Sequence, residues 1–187
     1  LIIDRYGEWL VLQALTMGID VRTHELCDIL TDRVMDKAFG FVRGIYERSD
    51  VDVRGKEGLP QSTGVLLGEE PPKSIVLDYA GVKKAVNVYT GHKTGDYLDQ
   101  QHNQRVLFDL IDQQYEDECR VLNLFSYTGG FSIEAMGAGD VHIVNVDSSA
   151  DALKLARENI ALNNQYGDDS NEFVQADVFD YLREAVK

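Results

Sequence analysis

Cysteine is scarce in this chain of 187 residues. The two that occur, Cys27 and Cys119, lie far apart and without metal-ligand spacing, so the sequence encodes neither a disulfide framework nor a zinc site. The four histidines (His24, His92, His102, His142) are scattered and give no ligand pattern, so no metal site is expected. Basic residues are outnumbered, 18 against 32 acids, for a net charge of −14, which argues against an extended phosphate-binding face on these residues. No apolar run is long enough to span a membrane and there is no signal peptide, so a reducing cytoplasm is the expected setting. The three prolines all fall between Leu59 and Lys73 and mark a looped connection. What is abundant is apolar surface, 44% of residues, enough for a real core in one large domain or two small ones. The first residue is Leu rather than Met, so the chain is expected to belong to something longer.

The chain is organised around Val121 to Phe131, VLNLFSYTGGF. Val121, Leu122, Leu124 and Phe125 form a short apolar run of the kind found in parallel sheets covered on both faces. Thr128, Gly129 and Gly130 then bring bare backbone to the mouth of a helix, where a ligand can lie against unpaired N–H groups. Taken alone, this is an ordinary strand–turn–helix corner. Two acids change the reading. The run Val141 to Val146 predicts a second strand ending at Asp147, eighteen residues past Gly129, where a carboxylate can hold a nucleotide ribose. A third strand, Glu172 to Ala176, ends at Asp177, with Val178 and Phe179 behind it to sandwich an adenine whose amine the carboxylate accepts. Each acid has a bland alternative as a helix cap, since Ser148–Ser149 and Phe179 open helices. A nicotinamide site would want G-x-G-x-x-G here, and that spacing is missing. S-adenosylmethionine has no pyrophosphate and needs polar groups for its amino-acid end, which Asn123, Ser126 and Tyr127 can offer. The stretch resembles that of a class I S-adenosylmethionine-dependent methyltransferase.

Before it, Leu1–Ile3 and Trp9–Gln13 read as a hairpin. Thr23 reads as the N-cap of a helix through about Phe39, with an inward stripe of Leu26, Ile29, Leu30, Val34 and Ala38 and Cys27 at its flank as a packing residue. Alternation at Val51 and Val53 predicts a strand whose other face carries Arg48, Asp50, Asp52, Arg54 and Lys56, a pattern that often signifies solvation alone. A short strand over Val65–Leu67 follows, then a hairpin of Ser74–Tyr79 and Lys84–Tyr89 turning at Ala80–Lys83. The segment GHKTGDYLDQ, Gly91 to Gln100, sets Lys93 and Thr94 between glycines, where they can hold a carboxylate or serve only as a solvated hinge. A helix from Leu98 bears Val106, Leu107, Leu110, Ile111 and Tyr115. The expected division is a small, mainly β α+β domain over 1–97 and, over 98–187, the first half (strands one to three) of a Rossmann-like parallel sheet.

Together, LIIDRYGEWLVLQ, GIYERSDVDVRGKEG, GEEPP, GHKTGDYLDQ and NLFSYTGGFS resemble the bacterial large-subunit ribosomal RNA methyltransferases that make 5-methylcytosine. The resemblance implies a protein cut at both ends, with a PUA-type RNA-binding module expected before the first hairpin and ribosomal RNA as partner. It also implies that Lys93, Thr94, Tyr97, Asp99, Gln100, Asn123, Phe125, Ser126, Tyr127, Gly129, Asp147 and Asp177 bind S-adenosylmethionine. The chain departs from the family at Asp96, where an aromatic is usual, and at Gln101, where the family has arginine after Asp-Gln. Losing that arginine removes one bidentate hold on a carboxylate.

Methylating cytosine at carbon five needs a thiolate to add at carbon six. Cys119 begins strand one, roughly 20 Å from the end where the cofactor sits, and Cys27 is in the other domain. The family's Asp-Pro-Pro motif and catalytic cysteine are not in the sequence, so no catalytic residue is assigned and these residues alone are expected to be inactive. Strand one, as an exposed apolar edge, could pair copies of the chain. Two other classes compete: a nicotinamide-dependent oxidoreductase, and a non-catalytic RNA-binding or scaffolding module.

Overall fold

The computed structural model describes residues 1–32, 40–114, 118–163 and 170–185. Two compact units make up the chain: Leu1–Leu77 with Val86–Asp96, and Asp78–Ala85 with Tyr97–Lys187.

The first unit is built on a four-stranded sheet in the order β1 (Ile2–Tyr6), β2 (Trp9–Gln13), β3 (Gly44–Ser49), β4 (Ser62–Gly68). β1 and β2 form the expected hairpin, with Tyr6 opposite Trp9, while β3 runs parallel to β2 and antiparallel to β4. Every residue of β2 and β3 is buried, as befits central strands. Leu10, Leu12, Ala14, Cys27 and Ile45 form the core, with Ile3, Leu30 and Leu67 packed on it.

Several local expectations change. After α1 (Met17–Asp20), α2 runs from Thr23 to Leu30 with Arg22 at the N-cap position. The Thr23 hydroxyl donates backwards to the carbonyls of Ile19 and Asp20 and so caps nothing. Cys27 is the buried centre of the helix rather than its flank, and Ile29 is exposed. Val34, Ala38 and Phe39 lie outside the described residues. The strand expected at Val51 and Val53 is a 3-10 helix, Asp52–Glu57. Of the five charges expected on that face, Asp50, Asp52 and Lys56 are exposed, whereas Arg48 and Arg54 are buried. Arg48 donates to the carbonyls of Val88 (2.6 Å) and Gly91 (3.2 Å), satisfying backbone that no strand pairs.

The GHKTG segment is tied to the first hairpin by a relay. The Asp96 N–H donates to the Tyr6 hydroxyl at 3.1 Å, which lies 2.8 Å from Thr94 Oγ1, which in turn donates to Asp4 Oδ2 at 2.5 Å. The segment needs its glycines, because a Cβ on Gly91 would stand 2.4 Å from the carbonyl oxygens of Asn87 and Gly95. Burial, reinforced by the charges of Asp4 and Asp96, pushes the Tyr6 phenol up to about 12 despite its hydrogen bonds. An unfolded tyrosine ionises near 10. Stability from this group is therefore complete below pH 10 and lost as pH rises to 12, at most about 2–3 kcal/mol. Denaturation of the parent should weaken over that window and Tyr6→Phe should flatten the decline; parallel declines in both would acquit Tyr6.

β5 (Ile75–Tyr79) and β6 (Val82–Val86) pair as a two-stranded sheet turning at Ala80–Gly81. The second expected hairpin is thus present but shorter, and Val88 is buried outside any strand.

The second unit holds α3 (Gln101–Gln114) and a three-stranded parallel sheet, β7 (Cys119–Leu124), β8 (Val141–Asp147) and β9 (Asn171–Gln175), in the order β7-β8-β9. The helices α4 (Gly130–Ala138) and α5 (Ala150–Leu162) connect successive strands, and α6 (Val178–Ala185) follows β9. This is the sheet expected from the three short apolar runs. Ile111, Cys119, Ile133, Met136, Val141, Ile143 and Ile160 form its core. On α3, Ile111 is buried and Leu107 packs beside it, but Val106 and Leu110 are exposed. Tyr115 lies outside the described residues.

Candidate functional site

β7 does not stop cleanly at Leu124. The Ser126 N–H still donates to the Val146 carbonyl at 3.1 Å, so the turn grows straight out of the sheet. It then folds tightly: Phe125, Tyr127 and Gly129 all take positive φ, at 54°, 47° and 78°. For Phe125 and Tyr127 that backbone costs on the order of 1 kcal/mol each, a cost typically found at ligand clamps. Gly129 is required twice over, by its φ and because a Cβ would stand 3.2 Å from that of Ala156 on α5. The Gly129 N–H closes the turn on the Ser126 carbonyl at 2.9 Å, and α4 begins.

Asp147 holds this turn. Its Oδ2 accepts the Tyr127 N–H at 2.8 Å and its Oδ1 accepts the Ser149 N–H at 2.9 Å. Each oxygen keeps lone-pair capacity for one more donor, as a ribose hydroxyl would need. Ser149 in turn caps α5, accepting the Ala152 N–H at 3.2 Å. Asp177 is exposed and its Oδ1 accepts the N–H groups of Phe179 (2.9 Å) and Asp180 (3.1 Å), so it caps α6. Behind it Val178 is buried. The exposed aromatic at this position is Phe179, whose ring meets that of Phe125 edge-on at 5.9 Å, the two being 60% and 62% exposed. The turn thus brings Phe125, Ser126, Tyr127, Gly129 and Asp147 together, with Asp177 and Phe179 reached through the Phe125 ring. Tyr97 joins them by an edge-on contact with Tyr127 at 5.4 Å. Asp99 and Gln100 lie in the 3-10 turn Leu98–Gln100, where Gln100 Oε1 accepts from Asn103 at 3.0 Å. Lys93 and Thr94 belong to the first unit. There Thr94 is fully buried in the relay with Tyr6 and Asp4, while Lys93 is exposed with φ 56°.

Ser126 carries the observation of most chemical interest. Its hydroxyl oxygen is buried, and among the described residues nothing hydrogen-bonds it. A buried hydroxyl without a partner is disfavoured by about 1–3 kcal/mol, so a polar ligand group at this turn fits.

Asn123 is committed inward. Its Nδ2 donates to Ser132 Oγ at 2.8 Å and reaches Asn145 Oδ1 at 3.5 Å, and Ser132 donates to the same Asn145 oxygen at 2.6 Å. Ser132, Asn145 and Asn159 were not apparent from motif reading. Asn145 had a signal, since the register pairs it with Asn123, each two residues before a turn residue. Asn159, fully buried on α5, donates to the Thr128 carbonyl at 3.0 Å and accepts the Ala85 N–H at 2.7 Å. Four residues on, Asn163 bonds Lys83 in the same way, accepting its N–H at 2.7 Å. The two amides act as a substitute strand along β6, and Asn159 also steadies the glycine turn.

A parallel sheet whose first strand opens a strained glycine turn anchored by the acid ending its second strand is the class I methyltransferase arrangement. S-adenosylmethionine-dependent methyltransferases match this chain over residues 51–182, and the chain belongs to that family. Ribosomal RNA large subunit methyltransferase I of Aliivibrio fischeri is 44% identical over 97% of this chain and 43% of its own length, and that of Salmonella typhi is 43% identical over 97% and 42%. The chain thus spans less than half the length of these curated relatives. A solved Streptococcus mutans protein described as a SAM-dependent methyltransferase shares the fold with a TM-score of 0.77 at 24% identity, over 98% of this chain and 44% of that one. Among the described residues no helix is long and apolar enough to cross a membrane.

Proposed function

We propose that this chain binds S-adenosylmethionine at the Phe125–Gly129 turn and serves methyl transfer to carbon five of cytosine in large-subunit ribosomal RNA. The buried, unpartnered Ser126 hydroxyl beside Asp147 carries the reading. When bound, the cofactor supplies an electrophilic methyl on sulfur. In this reading Asp147 takes the ribose hydroxyls, Ser126 donates to the amino-acid end, and Asp177 with Phe125 and Phe179 receives the adenine. The Thr94 proton is already given to Asp4 within the first unit.

Neither cysteine fits the thiolate role. Cys27 is 1% exposed and burial, aided by Asp28 and Glu47, pushes its thiol up, while Cys119 is 8% exposed at the start of β7. No nucleophile is assigned among these residues, and the net charge of −14 disfavours an extended RNA contact on them. Calorimetric titration with S-adenosylhomocysteine and, separately, NAD tests the cofactor assignment. Binding of the first alone is expected, whereas binding of NAD alone would replace this reading with a nicotinamide enzyme.

A further inference from the structure

Within the second unit lies a cavity of about 170 Å³ whose lining includes Tyr79, Lys84, Gln101, Gln104, Gly130 and Glu134. It meets the functional turn at Gly130, the first residue of α4. Two polar side chains press on that glycine: a Cβ there would stand 2.5 Å from Gln104 Nε2 and 2.9 Å from Lys84 Nζ. Both residues are buried, at 8% and 6% exposure. Among the described residues nothing hydrogen-bonds the Gln104 amide. Lys84 has a protein partner of its own, but an ammonium has three donors, so a second acceptor can join the first.

A buried cation, an uncommitted amide and the first turn of a nine-residue helix, with its unpaired N–H groups, make a seat for a small anion. Glu134, half-buried one turn along α4, brings a carboxylate to the same space. An anion seat beside a carboxylate matches a zwitterion. The cavity is large enough for the five heavy atoms of an α-amino-acid head. Gln101 also lines the cavity and offers a further amide. Lys84, from β6, is the cation in the cavity lining.

We propose that this cavity receives the amino-acid end of the cofactor, with Lys84 and Gln104 holding its carboxylate and Glu134 its ammonium. The proposal rests on the cofactor reading above and moves the cation of the site from Lys93 to Lys84.

Two ligands separate the possibilities: S-adenosylhomocysteine, and 5′-methylthioadenosine, which keeps the nucleoside and sulfur but lacks the amino-acid end. By calorimetry the parent should bind the first more tightly. Lys84→Met should cost about tenfold or more in S-adenosylhomocysteine affinity and leave methylthioadenosine within about twofold, and Lys84→Arg should recover most of the loss. Equal losses for both ligands, no loss for either, or a parent that binds both equally would overturn the proposal. If Lys84→Met melts too low to titrate, Glu134→Gln takes its place with the same expected selectivity. A parent that binds neither ligand overturns the cofactor reading first, and this inference with it.

Discussion

Asp147→Ala should weaken S-adenosylhomocysteine binding by about 1.5–3 kcal/mol, on the order of ten- to a hundredfold, and should also lower the stability of the second unit. Both losses follow from one carboxylate. It accepts the Tyr127 N–H at 2.8 Å and the Ser149 N–H at 2.9 Å, charge-assisted bonds that hold the turn and the start of α5 in register. Releasing the Tyr127 N–H would let its left-handed backbone, at φ 47°, relax and loosen the turn. Asp147→Asn divides the two roles. An amide keeps only one acceptor oxygen, so it can serve Tyr127 or Ser149 but not both, and it can no longer take two ribose protons as a charged partner. Calorimetry on both variants, with melting temperatures alongside, checks this. Unchanged affinity in a variant that melts lower would reduce Asp147 to a turn anchor.

The turn itself was readable in the sequence because its signals are local. Short apolar runs over 121–125 and 141–146 mark the two parallel strands, although Leu122 and Phe125 are exposed where full burial was expected. The readings that failed depend on reach across the fold. Asn159 sits among Ala152, Leu153, Ala156 and Ile160 on α5, and nothing in its neighbours announces that its amide spans to Thr128 and Ala85. Lys84 and Gln104 come from different elements, and only the backbone at Gly130 brings them together. Ile29 and Leu110 follow a helical apolar spacing yet face solvent, because periodicity marks candidate faces and the neighbouring elements choose among them.

Arg54 is where local reading and long-range reach diverge most, and Arg54→Ala should destabilise the first unit by about 3–5 kcal/mol. In sequence it is one charge of an alternating run, and a solvated face would make its removal nearly neutral, within about 0.5 kcal/mol. In the structure it is 2% exposed. Its Nε donates to the Pro60 carbonyl at 2.7 Å, Nη2 donates to Asp20 Oδ1 at 2.9 Å, and Nη1 donates to the Ala14 carbonyl. Ala14 has no exposed surface, so truncation would strand a buried carbonyl as well as leave a void. The guanidinium ties the end of β2 to α1 and to the loop before β4, three segments that no strand pairing joins. Arg54→Lys preserves the charge but not the planar fork, so it should lose well over half of the same stability. Chemical denaturation of the two variants against the parent measures this, and near-parent midpoints for both would return Arg54 to the solvated surface.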